Sequence, residues 1–184
     1  MSLSAQMNIA NWLTIFRIVM VPVFIWLMYL DTFWSDVIAT VLYTIAASTD
    51  YVDGYIARKY NLITDLGKIL DPIADKVLVT ATLVVFVELH RLEAVVVIIL
   101  ITRDLAINAL RSFAASKGQV IAAGMGGKIK TAFQMVGVGC IIFKNPLFGL
   151  DVMLIGKVLV YLSVILSVQS AWVYYRNFIR SENA

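Results

Sequence analysis

Asp50-Tyr-Val-Asp53-Gly54-Tyr-Ile-Ala57-Arg58, then eight residues, then Gly67-Lys-Ile-Leu-Asp71-Pro-Ile-Ala-Asp75: the reading of this stretch decides the fold. The apolar runs beside it, Val37 to Thr49 and Val77 to Val87, are each too short to cross a bilayer. Each reaches the roughly 20 residues that a spanning helix needs only if the acids lie within it. Ionisable groups at such depth are costly, so they face a protein interior or a polar cavity and mark function. Four carboxylates converging there need cations to hold them together.

The spacing fixes the expected geometry. Asp50 and Asp53 stand at i and i+3, Asp71 and Asp75 at i and i+4, so each pair shares one helix face. Gly54 and Gly67 lack a Cβ and admit something bulky beside each pair. The linker Lys59 to Leu66 is short and polar, which makes the two helices antiparallel neighbours with both pairs near one membrane face. Oxygen ligands without neighbouring His or Cys suit Mg²⁺ or Mn²⁺ rather than Zn²⁺. The competing reading is a set of interhelical salt bridges to Arg58, Lys68 and Lys76. Such pairs need one acid and one base, not four acids around two glycines.

Composition agrees with a membrane setting. The chain has 184 residues, 61% hydrophobic and 15% charged, with a mean hydropathy of +0.87. A soluble domain of this size is not so apolar. The length suits one helical bundle, residues 1–184, as a single domain. Met1 to Gln6 are small and polar and Met7 reads as an original start, so the first six residues are set aside as a cloning remnant or a flexible terminus. The first apolar run lacks a basic flank and reaches helix length, so no cleavable leader is expected. One cysteine, Cys140, excludes an intrachain disulfide and reads as a buried free thiol. A net charge of +3 gives no reason to expect a nucleic-acid partner, though it suits anionic lipid.

Six transmembrane helices are expected, near 12–30, 36–58, 67–89, 94–115, 128–145 and 151–177. Twelve of the fifteen Lys and Arg fall towards connections two and four and the two termini; Arg91, Lys144 and Lys157 are the exceptions. By the positive-inside rule that side, with the carboxylates and both termini, faces the cytosol. Trp26, Tyr29, Trp34 and Trp172 lie near span ends, where interfacial aromatics belong. Ala46-Ala47-Ser48, Ala114-Ala115, Gly137-Val-Gly139 and Gly156 read as close-packing positions. His90 reads as a solvated loop residue.

The fourth span repeats the anomaly of the acids. Arg103 and Asp104 interrupt its apolar run, and Arg111 follows two turns later. Arg103 and Asp104 partly neutralise one another. With Lys128 and Lys130 at the head of the next span, Arg103 and Arg111 make a cationic cluster suited to phosphate. Gly124-Met-Gly126-Gly127-Lys128 opens that span, and a helix N-terminus favours anions. Loop glycines and snorkelling lysines explain the same pattern. A cation-binding half beside an anion-binding half is what phosphoryl transfer needs. Asn11, Thr14 and Arg17 lie along one side of the first helix; the alternative is Asn11 as its cap and Arg17 snorkelling to the interface.

The pattern Asp50-x-x-Asp53-Gly54-x-x-Ala57-Arg58-x₈-Gly67-x-x-x-Asp71-x-x-x-Asp75 resembles the full signature of the CDP-alcohol phosphotransferase family. Within it, the phosphatidylglycerolphosphate synthase branch of bacteria is most similar. That likeness rests on Asn11-Trp-Leu-Thr14-Ile-Phe-Arg17, Leu70-Asp-Pro-Ile-Ala-Asp-Lys-Val, Thr102-Arg-Asp with Leu110-Arg111, and Gly127-Lys128-Ile-Lys130-Thr131 with Gln134. It covers about residues 8 to 135, and Asp104 stands where that branch usually has Glu. The resemblance implies a six-helix homodimeric enzyme of the bacterial cytoplasmic membrane that uses Mg²⁺ or Mn²⁺. It implies CDP-diacylglycerol as donor and sn-glycerol 3-phosphate as acceptor. Asp50, Asp53, Asp71 and Asp75 would bind metal, and Asp75 would be the general base. Asn11, Thr14, Gly54, Ala57, Arg58 and Gly67 would bind the donor. Arg103, Arg111, Lys128 and Lys130 would hold the acceptor phosphate.

Two other readings stay open from the residues alone. The same donor could serve serine, an inositol phosphate or another alcohol, with four basic groups favouring a phosphorylated one. A small cation transporter also carries intramembrane acids, but along its path rather than clustered on one side.

Overall fold

Six α-helices account for nearly all of the described residues: α1 (Ile9–Tyr29), α2 (Phe33–Lys59), α3 (Asp65–Glu88), α4 (Ala94–Ser116), α5 (Met125–Phe143) and α6 (Val152–Glu182). A computed structural model describes the backbone of residues 9–59, 65–117 and 125–182, and the side chains of 15–48, 74, 76–117 and 126–179. Among the described residues there is no strand beyond one bridge that closes the turn from Leu147 to Leu150. The all-α expectation holds, with one helix for each expected span. α5 starts earlier than expected and takes Gly126 and Gly127 into its first turn. α6 continues past Asn177 to Glu182. Asn11 lies inside α1, which begins at Ile9, so it does not cap that helix. Arg17 is buried at 2% exposure, so it does not snorkel.

Only α6, over Val152–Ile179, is both long and apolar enough among the described residues to cross a membrane on that ground alone. Within the described residues α1 and α2 contribute shorter apolar stretches, Ile15–Tyr29 and Phe33–Ser48. Charged residues interrupt two of the helices, Asp50, Asp53, Arg58 and Lys59 in α2 and Arg103, Asp104 and Arg111 in α4.

The chain divides into two compact units, Met1–Val85 with Ile142–Val152, and Phe86–Ile141 with Met153–Ala184. In the first, Thr32 and Ser35 start α2 with a reciprocal cap. Each side-chain oxygen accepts from the other's backbone N–H, at 3.2 and 3.0 Å. Asp31 takes the left-handed conformation at φ 51° to allow the tight turn from α1. Phe24 of α1 then meets Tyr43 of α2, ring centroids 6.4 Å apart. The chain after α5 closes the end of this unit. Lys144 pairs with Asp31 and with the fully buried Asp36 (3.4 Å), and Asn145 Nδ2 donates to Asp36 at 3.0 Å.

The second unit is a three-helix packing whose directions follow from its contacts. Glu93 pairs with Tyr161, Arg103 with Ser167 and Ser170, and Phe113 with Phe178, so α4 and α6 run parallel. Arg91 reaches the Ile141 carbonyl and Asp104 meets Lys130, so α5 is antiparallel to α4. Gly137 lies against Gly156 and Gly126 against Ser170, so α5 is antiparallel to α6 as well. At the head of α4 the Tyr161 hydroxyl donates to the Glu93 carboxylate. That bond is the main cause holding the Glu93 pKa below its ordinary value.

α6 has two faces. Leu154, Val158, Ile165, Val168 and Trp172 are exposed, while Gly156, Val160, Ser163, Ser167, Tyr174 and Phe178 are buried. Large apolar residues dominate the outward face, while the small and hydroxylated residues lie on the inward one beside Val160 and Phe178, an arrangement suited to packing through small residues in lipid. Ser163 and Thr82 satisfy their hydroxyls on carbonyls of their own helices, Val160 and Leu78, each at 2.7 Å. Cys140 is a free thiol, half-buried rather than buried. His90 is an exposed loop residue, as expected.

Candidate active site

The four aspartates fall on two helices. Asp50 and Asp53 belong to α2, Asp71 and Asp75 to α3, and both segments are α-helical through these positions. On helical backbone, positions at i,i+3 and i,i+4 share a face. Gly54, Ala57 and Arg58 follow on α2 and Gly67 precedes on α3. The side chains of all these residues, and of Asn11 and Thr14, lie outside the described residues. Among the described residues no three His, Cys, Asp or Glu side chains gather as a metal site.

The donor set itself suits a hard divalent cation. It offers four carboxylates on adjacent helical turns and no sulfur or imidazole.

The side chains of the four basic residues of α4 and α5 are described, and they separate into two kinds. Arg111 and Lys128 are exposed. Arg103 and Lys130 are drawn into a buried polar layer of the second unit. Lys130 is only 3% exposed, and its Nζ donates to both Asp104 carboxylate oxygens at 2.8 Å. Arg103 Nη1 donates to Asp104 Oδ1 at 3.0 Å, Nε to the Ser167 carbonyl at 2.9 Å and Nη2 to Ser170 Oγ at 2.6 Å. One carboxylate thus bridges two cations from different helices. The partial neutralisation expected of Arg103 and Asp104 is present, and Lys130 is its third member.

α6 supplies partners that its apolar sequence does not single out. Ser167 and Ser170 orient an arginine on α4 across more than sixty residues of chain. The available signal was a hydroxyl stripe, Ser163, Ser167, Ser170 and Tyr174, repeating at helical spacing in an otherwise apolar helix.

With fold and residues in place, comparison with known proteins is informative. The family model described as CDP-alcohol phosphatidyltransferase matches residues 7–169. The chain belongs to this family of transferases. Among similar curated proteins is the CDP-diacylglycerol–glycerol-3-phosphate 3-phosphatidyltransferase of Bacillus subtilis, 37% identical over 180 residues, covering 91% of this chain and 93% of that protein. Proteins of the same name from Haemophilus influenzae and Rickettsia typhi are 38% and 31% identical. Those alignments cover 90% and 92% of this chain, and 90% and 96% of the relatives.

Proposed function

We propose that the chain transfers the phosphatidyl group of CDP-diacylglycerol to sn-glycerol 3-phosphate, giving phosphatidylglycerol phosphate and CMP in bacterial phospholipid synthesis. The observation that carries this reading is the 37% identity, over nearly all of both chains, to a relative named for that reaction. The buried and exposed cations of α4 and α5 add independent support for a phosphorylated acceptor.

In this reading Asp50, Asp53, Asp71 and Asp75 hold divalent metal, Mg²⁺ or Mn²⁺. When bound, the metal supplies positive charge to the donor pyrophosphate and to the leaving phosphate of CMP. Gly54, Ala57 and Gly67 leave room for the cytidine, and Arg58, Asn11 and Thr14 help hold the donor. Arg103, Arg111, Lys128 and Lys130 hold the acceptor phosphate by charge-assisted contacts. Asp75 accepts the proton of the glycerol 1-hydroxyl. That oxygen bonds to the β-phosphorus, and the bond from this phosphorus to the CMP oxygen breaks. No Cys or His stands near the aspartates in sequence as a covalent nucleophile, which favours direct displacement.

The whole chain forms one catalytic domain of the bacterial cytoplasmic membrane, acting as a homodimer. All six helices cross the bilayer. The shortest has 19 residues, enough at about 1.5 Å per residue for a hydrocarbon core of about 30 Å. The active site and both termini face the cytosol in this reading, which the excess of Lys and Arg at connections two and four supports.

Purified protein given CDP-diacylglycerol, Mg²⁺ and a panel of alcohols tests the reading. CMP release should require glycerol 3-phosphate and stay at background with serine, glycerol or inositol phosphate. Faster release with another acceptor would overturn the assignment.

A further inference from the structure

We infer that Asp104 and Ser170 are positioning residues for the acceptor phosphate, acting through Arg103 and Lys130. The inference rests on the reading that these two cations hold that phosphate. Arg103 and Lys130 come from different helices, and both approach Asp104 Oδ1, at 3.0 and 2.8 Å. Two cations that close repel one another, and the carboxylate between them is what keeps them together. A salt bridge that served only to join α4 and α5 would need Lys130 and Asp104 alone.

Arg103 is fixed much more tightly than neutralisation requires. Its guanidinium is held at three nitrogens by three acceptors: Asp104, the Ser167 carbonyl and Ser170 Oγ. Two of these lie on α6, a helix with no other assigned role. Five N–H groups are available on an arginine. Three are used, so one on each terminal nitrogen remains for a ligand oxygen. The Asp104 side chain is one-third exposed while Lys130 is nearly buried, so the carboxylate edge of the layer is its open side.

The head of α5 lies in the same layer. A Cβ on Gly126 would stand 3.5 Å from that of Ser170, so the first turn of α5, with its outward N–H groups, is beside the oriented arginine. Arg103, Lys130 and a helix N-terminus are thus set in one place by Asp104 and Ser170. Neither positioning group touches the substrate. Each sets where a positive group points.

The test is steady-state kinetics of the full-length protein in detergent–lipid micelles, with both substrates varied. Ser170→Ala should raise the acceptor KM about three- to tenfold, and Asp104→Asn about tenfold or more, with the donor KM and kcat within about twofold of the parent. Asp104→Glu should recover most of the loss. Ser170→Ala removes one oxygen and carries the test if Asp104→Asn does not fold. Unchanged acceptor KM in Ser170→Ala, or equal rises in donor and acceptor KM with a lower Tm, would mean a structural role and sink the inference. Arg111→Ala and Lys128→Ala separate the two levels of the argument. If they raise the acceptor KM while Ser170→Ala and Asp104→Asn do not, only the positioning inference fails. If all four leave it unchanged, the acceptor site itself is misassigned and both fail.

Discussion

Gly137 and Gly156 meet backbone to backbone. A Cβ on Gly137 would lie 2.9 Å from the Gly156 carbonyl oxygen, and a Cβ on Gly156 would lie 2.8 Å from that of Gly137. No side chain can rotate away to relieve either contact, so α5 and α6 must part. Gly137→Ala or Gly156→Ala should destabilise the protein by about 1–3 kcal/mol despite the better helix propensity of alanine, which returns up to ~1 kcal/mol. Gly127→Ala meets nothing within 4 Å and should be neutral or slightly stabilising. Thermal melts in one detergent compare the three. Equal Tm values for all would contradict the close approach.

Lys144 clasps the other unit. It pairs with Asp36, whose side chain is fully buried at the start of α2. Lys144→Met keeps the aliphatic stem and removes the cation, so the cost isolates the charge. A loss of roughly 1–3 kcal/mol is expected, as for a buried polar group deprived of a strong partner. Asp36→Asn in the same background should recover part of it. A double variant no more stable than Lys144→Met would argue against a charge effect.

Most of the fold was legible in the sequence because each helix is bounded by charge or turn residues. The acids inside α2 and α3 forced those helices to be longer than their apolar runs, and they are. The ends read less well. Arg176 and Arg180 look like interfacial stops, but helix continues past them to Glu182 because solvated residues extend a formed helix at little cost. The basic residues were legible as a group and not as individuals. Nothing in the spacing separates the buried Lys130 from the exposed Lys128, since the difference arises from Asp104 on another helix. Ser170 belongs to a legible hydroxyl stripe, but its partner was not legible: a serine in an apolar helix usually bonds its own backbone, as Ser170 does to the Ser167 carbonyl at 3.1 Å, and nothing in the spacing shows that its oxygen also accepts from Arg103.

The proposed role of the four carboxylates is tested by metal dependence. Asp50→Ala or Asp71→Ala should abolish CMP release while the protein remains folded and extractable. EDTA should stop turnover, and Mg²⁺ or Mn²⁺ should restore it. Full activity in chelator would remove the metal assignment.

Orientation can be read with single cysteines in a Cys140→Ala background. Phe148, 95% exposed between α5 and α6, is on the extracytoplasmic side in this reading. Phe148→Cys should react with an impermeant thiol reagent added to intact cells. Lys117→Cys, exposed at the end of α4, should react only after permeabilisation. The opposite pattern would invert the topology.

Phosphatidyl transfer to glycerol 3-phosphate, with Asp75 as base, makes a stoichiometric prediction. The most direct measurement follows ³²P from glycerol 3-phosphate into lipid by purified protein with CDP-diacylglycerol and Mg²⁺. The label should appear in phosphatidylglycerol phosphate, mole for mole with CMP released. Asp75→Asn should lower the rate by about a hundredfold or more, in the range that positioned acid–base groups contribute, while both substrates still bind. CMP released without label in lipid, or undiminished transfer by Asp75→Asn, would contradict it.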